Sequence, residues 1–301
     1  MVLALILNYN GLAMTRDCCA ALARQTAASE LRVLVVENGS KANTAEELAA
    51  ACPNAEVVHT PVNLGFSGGI AFGLAHGKAA QLPFDWLWLL NNDTIPSSTA
   101  LAALLATGAS LPSVGAVGCP LSAAPDRGSP QHASMRMRPP FYVPRPGLPP
   151  DYLCGASLLI SRRAFEKLGP PDVAFPFFFE DADWGFRARA AGFTLALAPE
   201  ARIVHLGSAT IGSLGRARAA LYREGYVRFL RRHARHPFLA SLPATAWRVV
   251  ADLFRLRFAD VGGTLSGWRK GWRGAMPPPA PPESFRCKSF LRHALGRPEL
   301  P

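Results

Sequence analysis

The chain has 301 residues, 49% of them hydrophobic, enough for a substantial core in one large domain or a domain with an appendage. The net charge of +11 is uneven: residues 1–120 carry −3, 121–200 carry +1 and 201–301 carry +13, so an anionic partner, nucleic acid or lipid, is expected at the C-terminal third. The six cysteines form no CxxC pair and no zinc spacing, and no run of about 20 apolar residues occurs, which excludes a zinc module and a membrane-spanning helix.

The opening MVLALILNYN has no basic leader and too short an apolar run for a signal peptide, which predicts a cytoplasmic chain, soluble or resting on a membrane. Leu3–Leu7 reads as a buried strand ending in Asn8-Tyr9-Asn10-Gly11, with a helix following over Thr15–Ala27. Arg32–Val36 is a second strand, Ala45–Ala51 a helix and Ala55–His59 a third strand. A Gly-rich loop, Asn63–Gly69, feeds a helix through about Ala80, and Asp85–Leu90 is a fourth strand ending in Asn91-Asn92-Asp93-Thr94. Strands alternating with helices predict a parallel, doubly wound sheet whose ligands sit beyond the carboxyl ends of the strands. Residues 122–150 read as a surface loop, Tyr152–Ile160 resumes regular structure, and Ser161–Leu168 is a capped helix. Asp181–Ala191 is a helix closed by Gly192, and Phe193–Ala198 and Ala201–His205 are strands.

From Arg216 the character changes to basic amphipathic helix. Trp247, Val250, Phe254, Phe258, Val261, Leu265, Trp268 and Trp272 recur every three or four residues, with Gly262-Gly263 expected to divide the stretch into two helices. The Pro-rich tail begins at Met276.

The strand ends carry the chemistry. Asp93, just past an apolar strand, is either a carboxylate offered to a divalent cation on a phosphate-bearing ligand or a cap for the next helix near Pro96-Ser97-Ser98. Glu37 either accepts hydrogen bonds from a base or ribose or closes a turn with Asn38, Gly39 and Ser40. The segment Asn63–Gly69 brings backbone N–H groups toward a ligand, yet it is neither a dinucleotide fingerprint nor a P-loop. In Glu180-Asp181-Ala182-Asp183-Trp184, three carboxylates crowd the start of a helix, which raises one pKa and suits a general base. Asp183 and Arg187 are spaced for an ion pair, which leaves Glu180 and Asp181 for chemistry; Trp184 reads as core. His205 ends a strand before Gly207, as a structural residue or a ligand.

Taken in order, Asn8-Tyr9-Asn10, Val36 through Ser40, Asn63 through Gly69, Asn91 through Thr94, Gly155-Ala156, Glu180 through Arg187, and His205 resemble the family-2 glycosyltransferases of GT-A fold. Within that family they look most like the bacterial rhamnosyltransferase-type branch of cell-surface polysaccharide synthesis, over about residues 2–235. The resemblance implies an α/β GT-A domain over 1–215 (nucleotide-binding half about 1–120, acceptor half about 121–215), a helical extension over 216–275 and a tail over 276–301. It implies an inverting, metal-dependent enzyme that moves a sugar, rhamnose by analogy, from a nucleotide diphosphate to a hydroxyl of a glycan or lipid-linked glycan. Glu37 would contact the nucleoside. Asn8, Asn10, Asn63, Gly65, Gly68 and Asn92 would line the donor side. Asp93 would hold Mg²⁺ or Mn²⁺, with Asn91-Asn92-Asp93 standing where the family has DxD. Asp181 would be the catalytic base, with Glu180, Asp183, Trp184 and Arg187 on the acceptor side or supporting it. His205 would be a further metal ligand or diphosphate contact.

Lipid-linked acceptors at the cytoplasmic membrane face would explain an Arg-flanked apolar stripe, which suits contact with an anionic membrane over 216–275. Packing on the catalytic domain or a homodimer interface would use the same stripe. A sugar-1-phosphate nucleotidyltransferase would want a basic Gly-rich loop after the first strand, and Asn8-Tyr9-Asn10-Gly11 has no basic residue. A non-catalytic nucleotide-sugar-binding scaffold is disfavoured by the presence of Asp93, Asp181 and His205 together. A nucleic-acid binder is disfavoured because no recognised module occurs and the arginines flank an apolar stripe.

Overall fold

The computed structural model describes residues 1–123, 130–131, 133–207, 215–277 and 279. The N-terminal elements are β1 (Val2–Asn8), α1 (Leu12–Ala23), β2 (Leu31–Asn38), α2 (Ala45–Ala51), β3 (Ala55–Thr60), α3 (Gly65–His76), α4 (Lys78–Gln81), β4 (Trp86–Asn91), β5 (Thr94–Pro96) and α5 (Ala100–Ala109). The middle of the chain forms β6 (Val114–Gly118), β7 (Leu121–Ser122), β8 (Pro130–Gln131), β9 (Ser134–Arg136), β10 (Arg145–Pro146), β11 (Tyr152–Leu153), β12 (Ser157–Ser161) and α6 (Arg162–Leu168). Then come α7 (Glu180–Ala190), β13 (Thr194–Leu197), β14 (Ile203–His205), α8 (Gly215–His233), α9 (Pro237–Phe254) and α10 (Phe258–Trp272).

The central sheet has seven strands in the order β13-β6-β12-β4-β1-β2-β3. β1 pairs in parallel with β2 and β4, and β2 with β3, whereas β12 runs antiparallel to both β4 and β6. β1 shows why this region reads as an unbroken apolar run. Val2, Ala4 and Ile6 join the core on one face of the sheet, and Leu3 and Leu5 join the core on the other. The antiparallel β12 starts at the sheet edge where β1, β2 and β4 end, so Gly155 and Ala156 arrive beside Asn91, whose N–H donates to Ala156 O at 3.1 Å.

Several expectations shift. The first helix begins three residues before Thr15 and ends at Ala23, and the chain continues through a 3-10 turn at Ala28–Glu30. The Gly-rich segment is the start of α3 itself: Gly65 opens it at φ +73, and Gly68 and Gly69 lie in its first two turns. A side chain at Gly69 would collide with Leu7 of β1 and one at Gly68 with Leu64, so Gly69 serves close helix–sheet packing and the segment is not a free loop. The stretch 122–150 contains the short strands β8 to β10; its residues 124–129 and 132 lie outside the described residues, as does the expected tail apart from Met276, Pro277 and Pro279.

The C-terminal helices break at Arg255–Arg257, where Leu256 takes φ +55, and not at Gly262-Gly263, which lies inside α10. α8 is no free appendage. Its Tyr226, Phe229 and Leu230 share a core with Tyr142, Tyr152, Phe175 and Phe179. α10 seats against α8 through Gly267, where an added Cβ would fall on the Ala220 carbonyl oxygen. Gly267→Ala is therefore expected to cost about 1–3 kcal/mol, read as a lower melting temperature. An unchanged melt would mean that α10 does not dock there.

Most of the α9–α10 stripe faces outward. Trp247 is 75% exposed and Phe254 86%, and Val250, Phe258 and Leu265 are exposed with them. Trp268 and Trp272 are instead capped by Phe238, at ring separations of 5.8 Å each. Among the described residues no helix is long and apolar enough to cross a membrane.

Candidate active site

The polar residues at the strand ends fall into two knots and one open pair. In the first knot, Asn8 Nδ2 donates to Glu37 Oε2 at 2.5 Å and Asn43 Nδ2 donates to the same oxygen at 2.9 Å. Ser40 N donates to Glu37 Oε1 at 2.5 Å, and Asn8 Oδ1 accepts from Thr15 Oγ1 and Gly11 N. Asn10 closes the knot from outside, its Oδ1 accepting from Lys41 N and Ala42 N. Of the two readings of Glu37, the geometry displays the turn: its buried carboxylate is shared by three donors. Asn8 is likewise fully buried and turned inward.

The second knot ties β2 to α3. Asn38 Nδ2 donates to Asn63 Oδ1 and Gly65 O, both at 3.2 Å, and Asn38 Oδ1 accepts from Leu64 N at 3.1 Å. Asn63 Oδ1 also accepts from Gly65 N, while its buried Nδ2 has no hydrogen-bond acceptor. Gly68 sits inside α3 against Leu64 and offers no side chain.

The open pair is Asp93 and His205. β14 pairs antiparallel with β5, setting His205 opposite Thr94, and Leu206 N donates to Asp93 O at 3.0 Å. Asp93 is only 4% exposed, neither carboxylate oxygen receives a hydrogen bond, and His205 Nε2 stands 3.4 Å from Oδ1. The helix-cap reading of Asp93 is corrected: α5 starts at Ala100 after Thr99. A buried carboxylate without hydrogen-bond donors, with an imidazole beside it, is the chemistry of a divalent-cation site. Among the described residues no third His, Cys, Asp or Glu joins them. Neighbouring Asn92 donates to Thr15 Oγ1 at 3.1 Å, which fixes the turn that presents Asp93.

Asp181 lies one link away. Its Oδ2 accepts from Gly155 N at 3.0 Å and its Oδ1 from Ala182 N at 2.7 Å, and Gly155 is the neighbour of Ala156 beside Asn91. Burial raises the Asp181 pKa, partly offset by those N–H donors. Glu180 is raised well above the usual carboxylate range, by burial first and then by the charge of Asp181, and its Oε2 has no hydrogen-bond partner. Two residues that lead into this pair, Phe178 and Phe179, hold φ +63 and +68, each costing roughly 1–3 kcal/mol that surrounding contacts must offset. Tyr222 of α8 packs on both rings, at 5.5 and 5.0 Å, and Gly225 leaves room for the Phe177 and Phe178 carbonyls.

Asp183 and Trp184 belong to the support. Asp183 pairs with Arg187 at 2.8 Å as the spacing implied, and also with Arg232 and His233, each at 2.9 Å; Arg232 further pairs with Asp172. Trp184 is buried and donates to Gly169 O at 2.9 Å, which places it in the core. Sequence reasoning missed Arg232, His233 and Gly155 as contributors. The first two sit in an Arg-Arg-His run that carries no signal beyond charge, and Gly155 acts through its backbone.

A mostly parallel sheet with one antiparallel strand, polar strand ends, a buried acid–histidine pair at one of them and a second acid pair opening a helix make up a domain of GT-A fold. The model of the glycosyltransferase like family 2 matches residues 2–226, and the chain belongs to that family. It is 29% identical over 205 residues to the N-acetylglucosaminyl-diphospho-decaprenol L-rhamnosyltransferase of Mycobacterium tuberculosis, in both strain CDC 1551 / Oshkosh and strain ATCC 25618 / H37Rv. The match takes in 58% of this chain and 66% of each relative, just under two-thirds of their length. Among solved structures, the mannosyltransferase PcManGT from Pyrobaculum calidifontis, in complex with GDP-Man and Mn²⁺, aligns with a TM-score of 0.55 at 15% identity, over 98% of this chain and 80% of that one. GalNAc-T7 with UDP, GalNAc and Mn²⁺ aligns with a TM-score of 0.60 at 12% identity, over 90% and 55%.

Proposed function

We propose that the protein transfers a sugar from a nucleotide diphosphate donor to a hydroxyl of a lipid-linked glycan, by single displacement with inversion. The observation that carries this is Asp93, a buried carboxylate that receives no hydrogen bond, with His205 Nε2 at 3.4 Å, on a strand-end turn of a GT-A domain. Asp93 and His205 would hold Mg²⁺ or Mn²⁺, and two protein ligands suffice where the donor's phosphates complete the shell. Such a cation neutralises charge growing on the departing nucleotide diphosphate. Asn63 Nδ2, without an internal acceptor, is free to donate to the donor, while the Glu37 knot keeps the turns around it rigid. Asp181, oriented by the N–H groups of Gly155 and Ala182, takes the proton of the acceptor hydroxyl as that oxygen attacks.

The sugar and acceptor classes rest on the mycobacterial relative, whose name specifies L-rhamnosyl transfer to a diphospho-decaprenol carrier. A carrier of that kind supports a position at the inner face of the cell membrane. The outward Trp247–Leu265 stripe, flanked by Arg255, Arg257, Arg269 and Lys270, suits peripheral contact with anionic lipid there, with homodimerisation the competing cover.

Thermal shift against a panel of nucleotide diphosphates and nucleotide sugars, with and without Mg²⁺ or Mn²⁺, tests the donor reading. One nucleotide is expected to raise the melting temperature in a metal-dependent way, and Asp93→Asn to abolish the metal-dependent part. Stabilisation independent of metal in both proteins would overturn the Asp93–His205 assignment.

A further inference from the structure

Away from the strand ends, the 136–146 segment and helices α8, α9 and α10 enclose an open groove of about 1250 Å³. None of the donor-side residues lines it. Seven arginines do, against a single acid, Asp260. Arg248 is neutralised by Asp252 at 2.5 Å, and Arg136 donates to Leu148 O. Arg138, Arg145, Arg218 and Arg257 are exposed and have no acidic partner among the described residues. Arg223 is the most telling: only 5% exposed, it holds Thr245 Oγ1 and Ala244 O through its terminal nitrogens, while its Nε has no partner and no carboxylate forms an ion pair with it among the described residues, the Asp252 charge acting on it from farther off. A buried guanidinium with no ion-pair contact, among further unpaired ones, marks a site for a multiply charged anion, and guanidinium forks match phosphate oxygens.

The rest of the wall is apolar. Phe141, Val143 and Trp247 are lining residues that are also exposed, and Trp247 continues into the outward stripe of α9. The groove is also lined by Tyr222, the residue packed on Phe178 and Phe179 just before Glu180 and Asp181. Tyr222 thus joins the groove to the segment before the acid pair, and Trp247 joins it to an exposed apolar surface.

We propose that this groove binds the diphosphate of a prenyl-diphosphate-linked acceptor, with the prenyl chain leaving across Trp247 and the sugar to be extended lying toward Asp181. The inference rests on the acceptor class proposed above and assigns that acceptor a place. The wall holds a match for each part of such a molecule: Tyr222, packed on the segment before the acid pair, for the glycan, arginines for the diphosphate and exposed Trp247 for the hydrocarbon. The chain's own C-terminal segment is a poor occupant, since residues 280–301 carry four Lys/Arg against two Asp/Glu and would repel the arginines.

The test uses the full chain in solution without vesicles, with geranylgeranyl diphosphate, geranylgeraniol and inorganic diphosphate as probes in direct binding titrations. Geranylgeranyl diphosphate is expected to bind more tightly than either fragment. The triple variant Arg138→Gln/Arg218→Gln/Arg257→Gln is expected to weaken it about tenfold or more, with nucleotide binding and melting temperature unchanged. Trp247→Ala is expected to weaken geranylgeranyl diphosphate and leave inorganic diphosphate unaffected; like Arg257→Gln alone, it changes an exposed side chain and keeps the test open should the triple variant unfold. Equal binding by wild type and variants, or binding of either fragment as tight as the whole, would overturn the proposal. Failure of every nucleotide to bind, alongside the expected prenyl-diphosphate result, would instead sink the donor reading and leave the groove standing.

Discussion

Asp181→Asn is expected to lower turnover by ~100- to 10,000-fold, the usual contribution of a positioned general base, while leaving donor affinity unchanged. The amide keeps an oxygen to accept from Gly155 N or Ala182 N, so the loop geometry survives and only the proton acceptor is lost. Steady-state kinetics with donor and lipid-linked acceptor, paired with nucleotide titration, separate the two effects. Near-normal turnover would remove Asp181 from the role and turn attention to Glu180. The pH profile gives a second reading. Burial raises both carboxyls, and the charge of Asp181 raises Glu180 further, so kcat/KM should climb with pH through a value above the ordinary carboxylate range. In Glu180→Gln the climb should stay in place, because burial and not the charge of Glu180 raises Asp181.

Asp183→Asn is expected to be the most destabilising single change in the domain, at about 3–5 kcal/mol, because it strands buried positive charge. Arg187, Arg232 and His233 all converge on this fully buried carboxylate. Burial opposes its ionisation, but the His233 hydrogen bond and the charges of Arg187 and Arg232 outweigh burial and lower the pKa from 3.8 to about 2. A depressed folded pKa contributes stability that is complete above the unfolded value. That part should fade as pH falls from about 4 through about 2, and its loss should be absent from the Asn variant. Thermal melts across that range check it. Matching acid sensitivity in both proteins would show that the network does not hold Asp183 ionised.

The sequence made the sheet legible where strands are buried on both faces, as at Leu3–Leu7 and Arg32–Val36, because nothing but a core strand explains such runs. β6, Val-Gly-Ala-Val-Gly, went unread: two glycines in five residues look like a turn, and only packing beneath Leu153 and Phe193 makes them a strand. The site was legible as a set of places more than as roles. Asn8, Glu37, Asn63 and Asp93 are all polar residues at strand ends, and which of them turn inward depends on partners such as Thr15 and Asn43 that no local pattern reveals. Asp183 shows the same limit. Its pairing with Arg187 follows from helix spacing, but Arg232 and His233 reach it from some fifty residues downstream. The helix break was misplaced because glycine pairs usually interrupt helices, whereas here Gly263 and Gly267 are kept in α10 as buried contact positions.

The backbone at Phe178 and Phe179 sits in a conformation that L-residues avoid, and the helix that holds it there begins more than thirty residues later. The acid pair therefore has no correct address until α8 has docked. Recombining the front of this chain with the tail of another family member at a junction near residue 215 would separate Phe178–Phe179 from Tyr222 and Gly225, which were fitted to each other. A functional hybrid needs its crossover upstream of Pro171 or downstream of His233, so that the aromatic turn and its clamp are inherited as one block.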